Sequence, residues 1–362
     1  TYAWELTTRL AARVEQLVVV APRRPSAATV DRQAPFKVVR VPGRPDLLPL
    51  TGLPTILRQA RQMRADVALH AQWQTVGASA LARTLTGWPR RIACTAHGRE
   101  LLFNPLPPML AGGYNTLRRA LLTAPDRFLP VSRYTGRLLQ EHGVPPNRIQ
   151  VLPNGTNPAR FCPRSRTTVR DRLGLGTRPM LLTVGRLVPR KGVDTVLRAL
   201  PRLIPGVRGV QYVVTGTGPD RERLEQLAVR RGVRDHVHFV GYVADADLPL
   251  YYSAADLFVM PAREAPPDVE GFGLVFLEAN ACGTPVVGAR TGGIPDAVVE
   301  GKTGLLVPPS DPTALTEALS ALLQDPERRS VLSQQGRSHT VGPANWDRIA
   351  ARAYDLLSSV CA

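Results

Sequence analysis

Short apolar segments alternate with longer amphipathic segments along this chain, and the alternation occurs twice. In the first half, the strand-like segments are 16–22, 67–72, 90–97 and 127–132. In the second half, it resumes with "MLLTVGRL" and closes with the helical pattern "PTALTEALSALLQ". Strands that alternate with helices favour a parallel sheet covered on both faces. The chain is therefore predicted to form an α/β fold with two Rossmann-like domains.

The boundary between the two predicted domains lies in a polar stretch that contains Pro and Gly, near residues 158–178. We place the first domain at residues 1–160 and the second at residues 161–345. The preceding segment 149–155 is predicted to be a strand that ends in a turn. The closing segment 346–359 is predicted to be an amphipathic helix that follows the second domain.

The beginning of the chain differs from the usual start of such a domain. A Rossmann-like domain normally opens with a strand and a Gly-rich turn before its first helix. This chain opens with a helical pattern at residues 2–14. We therefore expect that the first strand and the Gly-rich loop are missing upstream of residue 1 or have diverged.

The positive charge of the chain is concentrated in its first half. Residues 1–170 contain 25 Lys/Arg and 8 Asp/Glu, whereas residues 171–362 contain 21 of each, so the net charge of +17 comes from the first part. A basic surface attracts anionic membranes or nucleic acid. Because few aromatic residues lie between the arginines, a surface that stacks single-stranded bases is disfavoured. An anionic lipid surface or ordinary solvated helices remain as explanations.

The cysteines and the hydropathy exclude several classes of protein. The four cysteines lie far apart, at positions 94, 162, 282 and 361, and no pair has the spacing of a metal or redox motif. No apolar run approaches the roughly 20 residues of a membrane span. The sequence therefore indicates a reduced, cytosolic setting without a metal site.

The stretch "EGFGLVFLEANACGTPVVGARTGG" contains two carboxylates on either side of a predicted helix start. Glu270 precedes the helix, Gly271 and Gly273 allow close approach of a ligand to the backbone, and Glu278 lies inside the helix. The free N–H groups of a helix N-terminus bind phosphate. Carboxylates accept hydrogen bonds from hydroxyls. The pattern favours a ligand with phosphates in the middle and hydroxyls at both ends, such as a nucleotide sugar.

A second motif, "TVGRLVPRKGVD", places Arg186 and Lys191 just beyond a predicted strand. Two cations at the carboxyl end of a strand can neutralise a diphosphate. Either cation alone is also compatible with an ordinary solvated loop. The combination with the two glutamates indicates a diphosphate-binding site.

Together these motifs resemble the retaining glycosyltransferases of family 4, which have the GT-B fold with two Rossmann-like domains facing a central cleft. The resemblance covers nearly the whole chain and is strongest from about Pro153 to Pro309. It is particularly close to bacterial mannosyltransferases that act on phosphatidylinositol mannosides or assemble polysaccharides. In "LPNGTN" the chain has Asn157 where the family usually has Asp.

The resemblance implies a role for each matching residue. Arg186 and Lys191 would hold the donor diphosphate, Glu278 the ribose, and Glu270 the transferred sugar. "TAHGRE" resembles the family's H-G-x-E segment, which implies that His97 reaches the donor sugar across the cleft. Backbone contacts to the donor are implied for Gly241, Tyr242, Val243, Gly271, Phe272, Gly273, Leu274 and Val275.

The reaction implied is the transfer of a hexose from a nucleotide diphosphate sugar to a hydroxyl of a lipid-linked or glycan acceptor. The resemblance implies same-face attack with retention, no metal, and an acceptor on the side of the basic first domain, which the final helix would rejoin. The similarity around Glu270 favours GDP-mannose as the donor, and UDP-glucose and UDP-N-acetylglucosamine are the next candidates. We expect a cytoplasmic protein with peripheral contact to the inner face of the membrane.

Three alternatives remain open from the sequence. A GT-B epimerase or hydrolase would bind the same donor without needing an acceptor. A non-catalytic nucleotide-sugar binder is compatible with an incomplete first domain. A nucleic-acid-binding protein would explain the pI but not the two donor motifs.

Overall fold

The computed structural model describes residues 2–24, 27–43 and 48–361 of the chain. These residues divide into two units. The first unit runs to Pro153 and also includes the segment from Trp346 onward, and the second runs from Asn154 to Asn345. In both units, parallel strands alternate with helices, so the predicted α/β fold with two Rossmann-like domains is confirmed.

The strands of the first unit form two parallel sheets. β1 (Val18–Pro22) pairs with β2 (Lys37–Val41), and β4 (Arg91–Ala96) lies between β3 (Val67–His70) and β5 (Arg127–Pro130). The helices of this unit are α1 (Tyr2–Ala11), α2 (Ala27–Gln33), α3 (Leu48–Thr51), α4 (Leu53–Met63), α5 (Val76–Thr86), α6 (Arg99–Leu102), α7 (Pro108–Leu122), α8 (Arg133–Glu141) and α17 (Trp346–Cys361).

The core of the first unit forms around the central strand β4. Ile92 and Cys94 alternate with residues of the opposite face and pack with Phe128 of β5, and all three are completely buried. From Ile92 to Ala96, β4 is buried on both faces, as expected for the central strand of a parallel sheet covered by helices on both sides. The core therefore holds β4 and β5 in register. The carboxyl end of β4, which is followed by His97, lies at the edge of the sheet that the strand ends form.

The second unit contains a single six-stranded parallel sheet in its described residues. Its strands are β6 (Met180–Val184), β7 (Gln211–Thr215), β8 (Val237–Gly241), β9 (Leu257–Met260), β10 (Val286–Ala289) and β11 (Gly304–Val307). Its helices are α9 (Thr167–Arg172), α10 (Val193–Leu203), α11 (Arg221–Arg230), α12 (Leu248–Ala254), α13 (Leu274–Ala281), α14 (Ile294–Ala297), α15 (Pro312–Gln324) and α16 (Pro326–Val341).

The order of the strands in this sheet reverses at its centre. The spatial order is β11-β10-β9-β6-β7-β8, so the chain builds the sheet outward from β6 on one side and then returns to β9 on the other. In an open parallel sheet, ligands bind beyond the carboxyl ends of the strands where this reversal occurs. A ligand-binding site is therefore expected at the loops after β6 and β9.

The segment 149–155 does not form the predicted strand. Ile149 makes only an isolated bridge to Phe128, although the Gln150 N–H donates to the Phe128 carbonyl at 2.9 Å. Two residues further on, the Leu152 N–H donates to the Pro130 carbonyl at 2.9 Å, but Pro130 has no N–H with which to donate back. The segment runs beside β5 without a continuing ladder.

The stretch expected to be a linker, residues 158–178, is a folded part of the second unit. It contains α9, in which Val169 is completely buried. The Arg170 guanidinium donates to the Ala254 carbonyl at 2.9 Å and to Asp256 Oδ2 at 2.7 Å. These bonds fix α9 against α12 and the start of β9, although the polar composition of the stretch suggested a loose connection.

Candidate functional site

Two loops meet at the reversal point of the second sheet. The loop after β6 and the loop after β9 are joined by a hydrogen bond from the Arg263 N–H to the Arg190 carbonyl, at 2.9 Å. Gly192 has φ +72°, and a Cβ built on it would lie 2.0 Å from the Pro261 carbonyl oxygen. Only glycine tolerates this approach, so the glycine of the "RKG" motif allows the two loops to pack together.

A cluster of charges lies where the loops meet. Lys191 Nζ donates to Glu270 Oε2 at 2.7 Å, and Arg190 Nη1 donates to the same oxygen. Arg190 Nε also lies 3.2 Å from a carboxylate oxygen of Asp268. The side chains of Lys191, Arg190 and Glu270 are 11%, 15% and 13% exposed. The structure thus brings together Lys191 and Glu270, which the sequence motifs had placed 79 residues apart.

The pKa of Glu270 reflects its burial and its cationic partners. Burial alone would raise this pKa, because it disfavours the charged form of a carboxyl group. The charges of Lys191 and Arg190, and their hydrogen bonds, more than offset that effect, so the pKa lies below its ordinary value. Glu270 is therefore an ionised acceptor held between two cations.

Arg186 differs from Lys191 in its surroundings. It follows β6 directly and its side chain is exposed. Within the described ranges, its guanidinium makes no hydrogen bond or ion pair. The adjacent Gly185 has φ +151°, and a Cβ there would touch the Lys191 side chain at 3.4 Å. Arg186 is thus a cation available to an anionic ligand at the end of β6.

The predicted helix start near Gly273 is confirmed by α13, which begins at Leu274. Gly273 precedes it with φ +94°, and no side chain caps the first turn. Leu274 and Val275 are partly exposed, whereas Phe272 is 4% exposed and belongs to the core. The first N–H groups of a helix lack intrahelical partners and carry partial positive charge. This end of α13 can therefore accept an anion.

The residues just before α13 are held by the next loop of the sheet. The Gly293 N–H donates to the Glu270 carbonyl at 2.8 Å. Gly292 has φ +55°, and a Cβ there would lie 2.4 Å from the same carbonyl oxygen. Gly271 follows at intermediate exposure. The "TGG" segment after β10 therefore fixes the backbone of Glu270, a role that the sequence analysis did not assign to it.

Glu278 lies one turn inside α13 and is bound by an aromatic hydroxyl. Tyr252 Oη donates to Glu278 Oε2 at 2.8 Å. Burial raises the pKa of Glu278 above its ordinary value, while the Tyr252 hydrogen bond and the charge of Arg160 act in the opposite direction. Within the described residues, no hydrogen bond reaches the second carboxylate oxygen of Glu278, Oε1. This oxygen can therefore accept one from a ligand hydroxyl.

The end of β8 places a third predicted segment at the same edge of the sheet. The pairing of β7 with β8 shifts between Val214 and Thr215, so that Val240 is an extra residue and Thr215 pairs with Gly241. The Gly216 N–H donates to the Gly241 carbonyl at 2.6 Å. Tyr242 is 75% exposed and Val243 is partly exposed. The backbone of residues 241–243 is accessible beyond the strand ends.

His97 belongs to the first unit. It follows β4, and its backbone N–H donates to Glu100 Oε1 at 2.6 Å. Its ring lies edge-on to Tyr2, with centroids 4.7 Å apart. Burial lowers the pKa of His97, and the charge of Glu100 only partly offsets this effect. The imidazole is therefore held neutral, as a hydrogen-bonding group rather than a cation.

Sequence reasoning missed three side chains of this site: Arg190, Asp268 and Tyr252. Arg190 stands beside Lys191 in the same motif, so its position was a usable signal. Asp268 stands two residues before Glu270 in the loop. Tyr252 comes from α12 and had no sequence signal, because its contact with Glu278 depends on how α12 packs on α13.

Two further properties concern metals and membranes. Among residues 2–24, 27–43 and 48–361, no three His, Cys, Asp or Glu side chains form a group that could hold a metal ion. Over the same residues, no helix has the length and apolar character needed to cross a bilayer.

Family models match both halves of the chain. The model described as "Glycosyltransferase Family 4" matches residues 1–160, and the model described as "Glycosyl transferases group 1" matches residues 165–339. The second match contains the whole charge cluster and α13.

The chain is similar to GDP-mannose-dependent mannosyltransferases over nearly its full length. It is 36% identical to the GDP-mannose-dependent alpha-(1-6)-phosphatidylinositol monomannoside mannosyltransferase of Mycolicibacterium smegmatis, over 96% of this chain and 91% of that protein. The enzyme of the same name from Mycobacterium tuberculosis is 35% identical, over 99% and 93%. A Corynebacterium glutamicum enzyme, specific by name for the monoacylated acceptor, is 32% identical, over 95% and 90%.

Solved structures share the fold. The Anabaena protein Alr3699/HepE, solved in complex with UDP, superposes with a TM-score of 0.82 at 19% identity, over 99% of this chain and 95% of that one. Sucrose-phosphate synthase from Thermosynechococcus elongatus gives a TM-score of 0.77 at 26% identity, over 99% and 92%. The predicted GT-B fold is thereby confirmed. The chain belongs to glycosyltransferase family 4 and is a GT-B glycosyltransferase.

Proposed function

We propose that this protein transfers mannose from GDP-mannose to a hydroxyl of a phosphatidylinositol mannoside, with retention of the anomeric configuration. The observation that carries the proposal is the similarity to GDP-mannose-dependent mannosyltransferases, at 36% identity over 96% of the chain. The position of the charge cluster at the reversal point of the second sheet supports it, because a nucleotide diphosphate is the ligand expected there. In this proposal, residues 161–345 bind the donor and residues 1–160 bind the acceptor.

The proposed donor contacts follow the residues already described. Arg186 and Lys191 bind the diphosphate, Glu278 accepts the ribose hydroxyls, and Glu270 accepts a hydroxyl of the mannose. His97, neutral and half-buried, hydrogen-bonds to the same sugar. Backbone groups complete the site around the nucleobase, the phosphates and the sugar, from Gly241, Tyr242, Val243, Gly271, Phe272, Gly273, Leu274 and Val275.

In the proposed chemical step, the bond between the mannose C1 and the diphosphate oxygen breaks. The acceptor oxygen forms a new bond to C1 on the same face, and its proton passes to the leaving diphosphate. Negative charge develops on that diphosphate, so preorganised cations lower the barrier. Arg186, Lys191 and the N-terminus of α13 supply this stabilisation, and we propose that the reaction needs no bound metal ion.

Donor binding is tested by calorimetry with GDP-mannose, UDP-glucose, UDP-N-acetylglucosamine, GDP and UDP. We expect GDP-mannose and GDP to bind, and Glu278→Ala to weaken both by about tenfold or more, because hydrogen bonds to a charged group contribute about 1.5–3 kcal/mol. Glu317→Ala is the matched control, since Glu317 is exposed on α15. Binding of a UDP-sugar in place of GDP-mannose would contradict the proposed donor.

We further propose that the protein works in the cytoplasm and contacts the inner leaflet through α7. Met109, Leu110 and Leu117 of this helix are 88%, 54% and 54% exposed. The surrounding first half carries the excess of Lys and Arg. Apolar side chains beside basic ones suit the surface of an anionic bilayer.

Vesicle flotation tests this surface. We expect wild-type protein to float with vesicles that contain phosphatidylinositol, and the pair Met109→Asp with Leu110→Asp to reduce the bound fraction strongly. Val229→Asp is the matched control, because Val229 is 63% exposed on α11 of the second unit. Equal flotation of the double variant and the control would rule out α7 as the contact.

A further inference from the structure

One carboxylate oxygen of Glu270 accepts hydrogen bonds from two cationic side chains. Lys191 Nζ and Arg190 Nη1 both donate to Oε2. Arg190 also pairs with Asp268, at 3.2 Å. The four side chains form a neutral group of two cations and two carboxylates, and Glu270, Lys191 and Arg190 are each less than one-sixth exposed.

The proposed function gives these partners different tasks. Lys191 is assigned to the donor diphosphate, which competes with Glu270 for the same ammonium group. Glu270 is assigned to the sugar, for which it must stay ionised and fixed in place. When Lys191 turns to the diphosphate, Glu270 loses one of its two cations, and a buried carboxylate without a cation takes up a proton.

We propose that Arg190 is a positioning residue that keeps Glu270 ionised and oriented while Lys191 binds the donor diphosphate. This inference rests on the proposed function and deepens it. Arg190 suits the task because its Nη1 donates to Glu270, and its Nε lies 3.2 Å from a carboxylate oxygen of Asp268 without a hydrogen bond to it, so that Asp268 contributes only its charge.

The charged groups around Glu270 come from several elements. Lys191 and Arg190 come from the loop after β6, and Asp268 comes from the same loop as Glu270. Glu278 of α13 is also stabilised in its ionised form by the charge of Lys191. The segment before α14 contributes the Gly293 N–H, which binds the Glu270 backbone carbonyl. In the part of the chain that the structure describes, removal of Arg190 therefore leaves Lys191 as the one cation that donates to Glu270, and the donor diphosphate competes for the same ammonium group.

Calorimetry of GDP-mannose binding in buffers of different ionisation enthalpy tests this proposal, because it counts the protons taken up on binding. At about pH 6, we expect little uptake by the wild-type protein. We expect Arg190→Gln to take up close to one proton per donor and to bind about tenfold or more weakly. Arg190→Lys retains a cation at this position, and we expect it to restore most of the wild-type behaviour.

The matched control is Arg263→Gln. Arg263 lies in the same loop as Glu270, but its guanidinium binds Asp194 and, at 3.4 Å, Thr195 of α10. If Arg190 only anchored the loop, both variants would lower the thermal unfolding temperature and neither would change proton uptake. We expect Arg263→Gln to lower that temperature and keep the wild-type uptake.

The outcomes separate the two proposals. Donor binding by Arg190→Gln with wild-type proton uptake would overturn the role of Arg190 and leave the proposed function intact. Failure of the folded wild-type protein to bind GDP-mannose would overturn the proposed function, and the role of Arg190 would fall with it. Extra uptake in Arg190→Gln, reversed in Arg190→Lys, supports the inference.

Discussion

At the residue scale, the cations and acids of the site differ in how the free protein holds them. Lys191 and Glu270 neutralise each other, whereas Arg186 is exposed at the end of β6. The motifs "GRL" and "EGFG" could be found in the sequence because their spacing places them after strands. Tyr252 could not be found, because a tyrosine in a short apolar helix usually indicates core packing, and only the tertiary structure brings its hydroxyl to Glu278.

The hydrogen bond from Tyr252 makes a pH-dependent prediction. Burial raises the pKa of Glu278 above its ordinary value, and the Tyr252 hydroxyl lowers it again in part. In the proposed function Glu278 accepts the ribose hydroxyls, for which it must be ionised, so we expect GDP affinity to fall as the pH drops through this pKa. Tyr252→Phe removes the donor and raises the pKa further. We therefore expect the fall in GDP affinity to begin at a higher pH than in the wild type.

The measurement is the dissociation constant of GDP as a function of pH for both proteins. Tyr212→Phe is the matched control, since Tyr212 is also completely buried and its hydroxyl bonds to Thr183 at 2.8 Å. We expect the control to keep the wild-type profile. Superimposable profiles for Tyr252→Phe and wild type would show that this hydroxyl does not act on Glu278.

At the element scale, the second sheet was easier to predict than the rest. Its strands are short and rich in Val, Leu and Phe, and helical or turn segments separate them, so each of β6 to β11 is visible in the sequence. α16 (Pro326–Val341) was not predicted, because its sequence is polar and lacks a clear apolar stripe. Its Gly336 packs against Asn280 of α13, where a Cβ would lie 2.5 Å from Oδ1. The opposite error occurs at residues 149–155. This apolar segment was predicted to be a strand, but it forms no ladder with β5, in which Pro130 has no N–H to donate.

The "TGG" segment gives a prediction at this scale. Gly292→Ala would place a Cβ 2.4 Å from the Glu270 carbonyl oxygen, whereas Gly301→Ala meets nothing within 4 Å, and both glycines have positive φ. We expect Gly301→Ala to cost about 1 kcal/mol for the backbone conformation alone. We expect Gly292→Ala to cost roughly 1–3 kcal/mol more through overpacking.

Chemical denaturation of the two variants measures the difference, and GDP titration shows whether the clash reaches the site. We expect weaker GDP binding in Gly292→Ala because Glu270 and the start of α13 are displaced. Equal stability and equal GDP affinity of the two variants would mean that the backbone of Glu270 is not fixed by this segment.

At the scale of the whole molecule, the chain leaves the first unit after Pro153 and returns to it at Trp346. Trp346 is 1% exposed, and its ring lies 5.6 Å from that of Tyr2 in α1. Arg9 of α1 binds Asp347 at 2.5 Å. The closing helix is predictable as an amphipathic segment from its own sequence, whereas its return to the first domain was implied by the family resemblance and not by a local pattern.

Trp346→Ala tests this return. We expect it to destabilise the first unit by about 3–5 kcal/mol, since it removes a large buried side chain. All four tryptophans, at positions 4, 73, 88 and 346, lie in the first unit, so intrinsic fluorescence follows its unfolding. Tyr354→Ala is the matched control, because Tyr354 is 36% exposed on the same helix. An unchanged unfolding midpoint for Trp346→Ala would contradict the packing of α17.

In the proposed reaction, the protein transfers mannose from GDP-mannose onto a lipid acceptor without a metal ion. The most direct measurement is incubation with GDP-mannose labelled in the sugar and phosphatidylinositol monomannoside, with EDTA present, followed by NMR of the lipid product. We predict labelled mannose on the lipid in α linkage, the configuration it has in the donor. Release of the label as free mannose, with none on the lipid, would contradict the proposed transfer to a lipid and indicate a donor hydrolase.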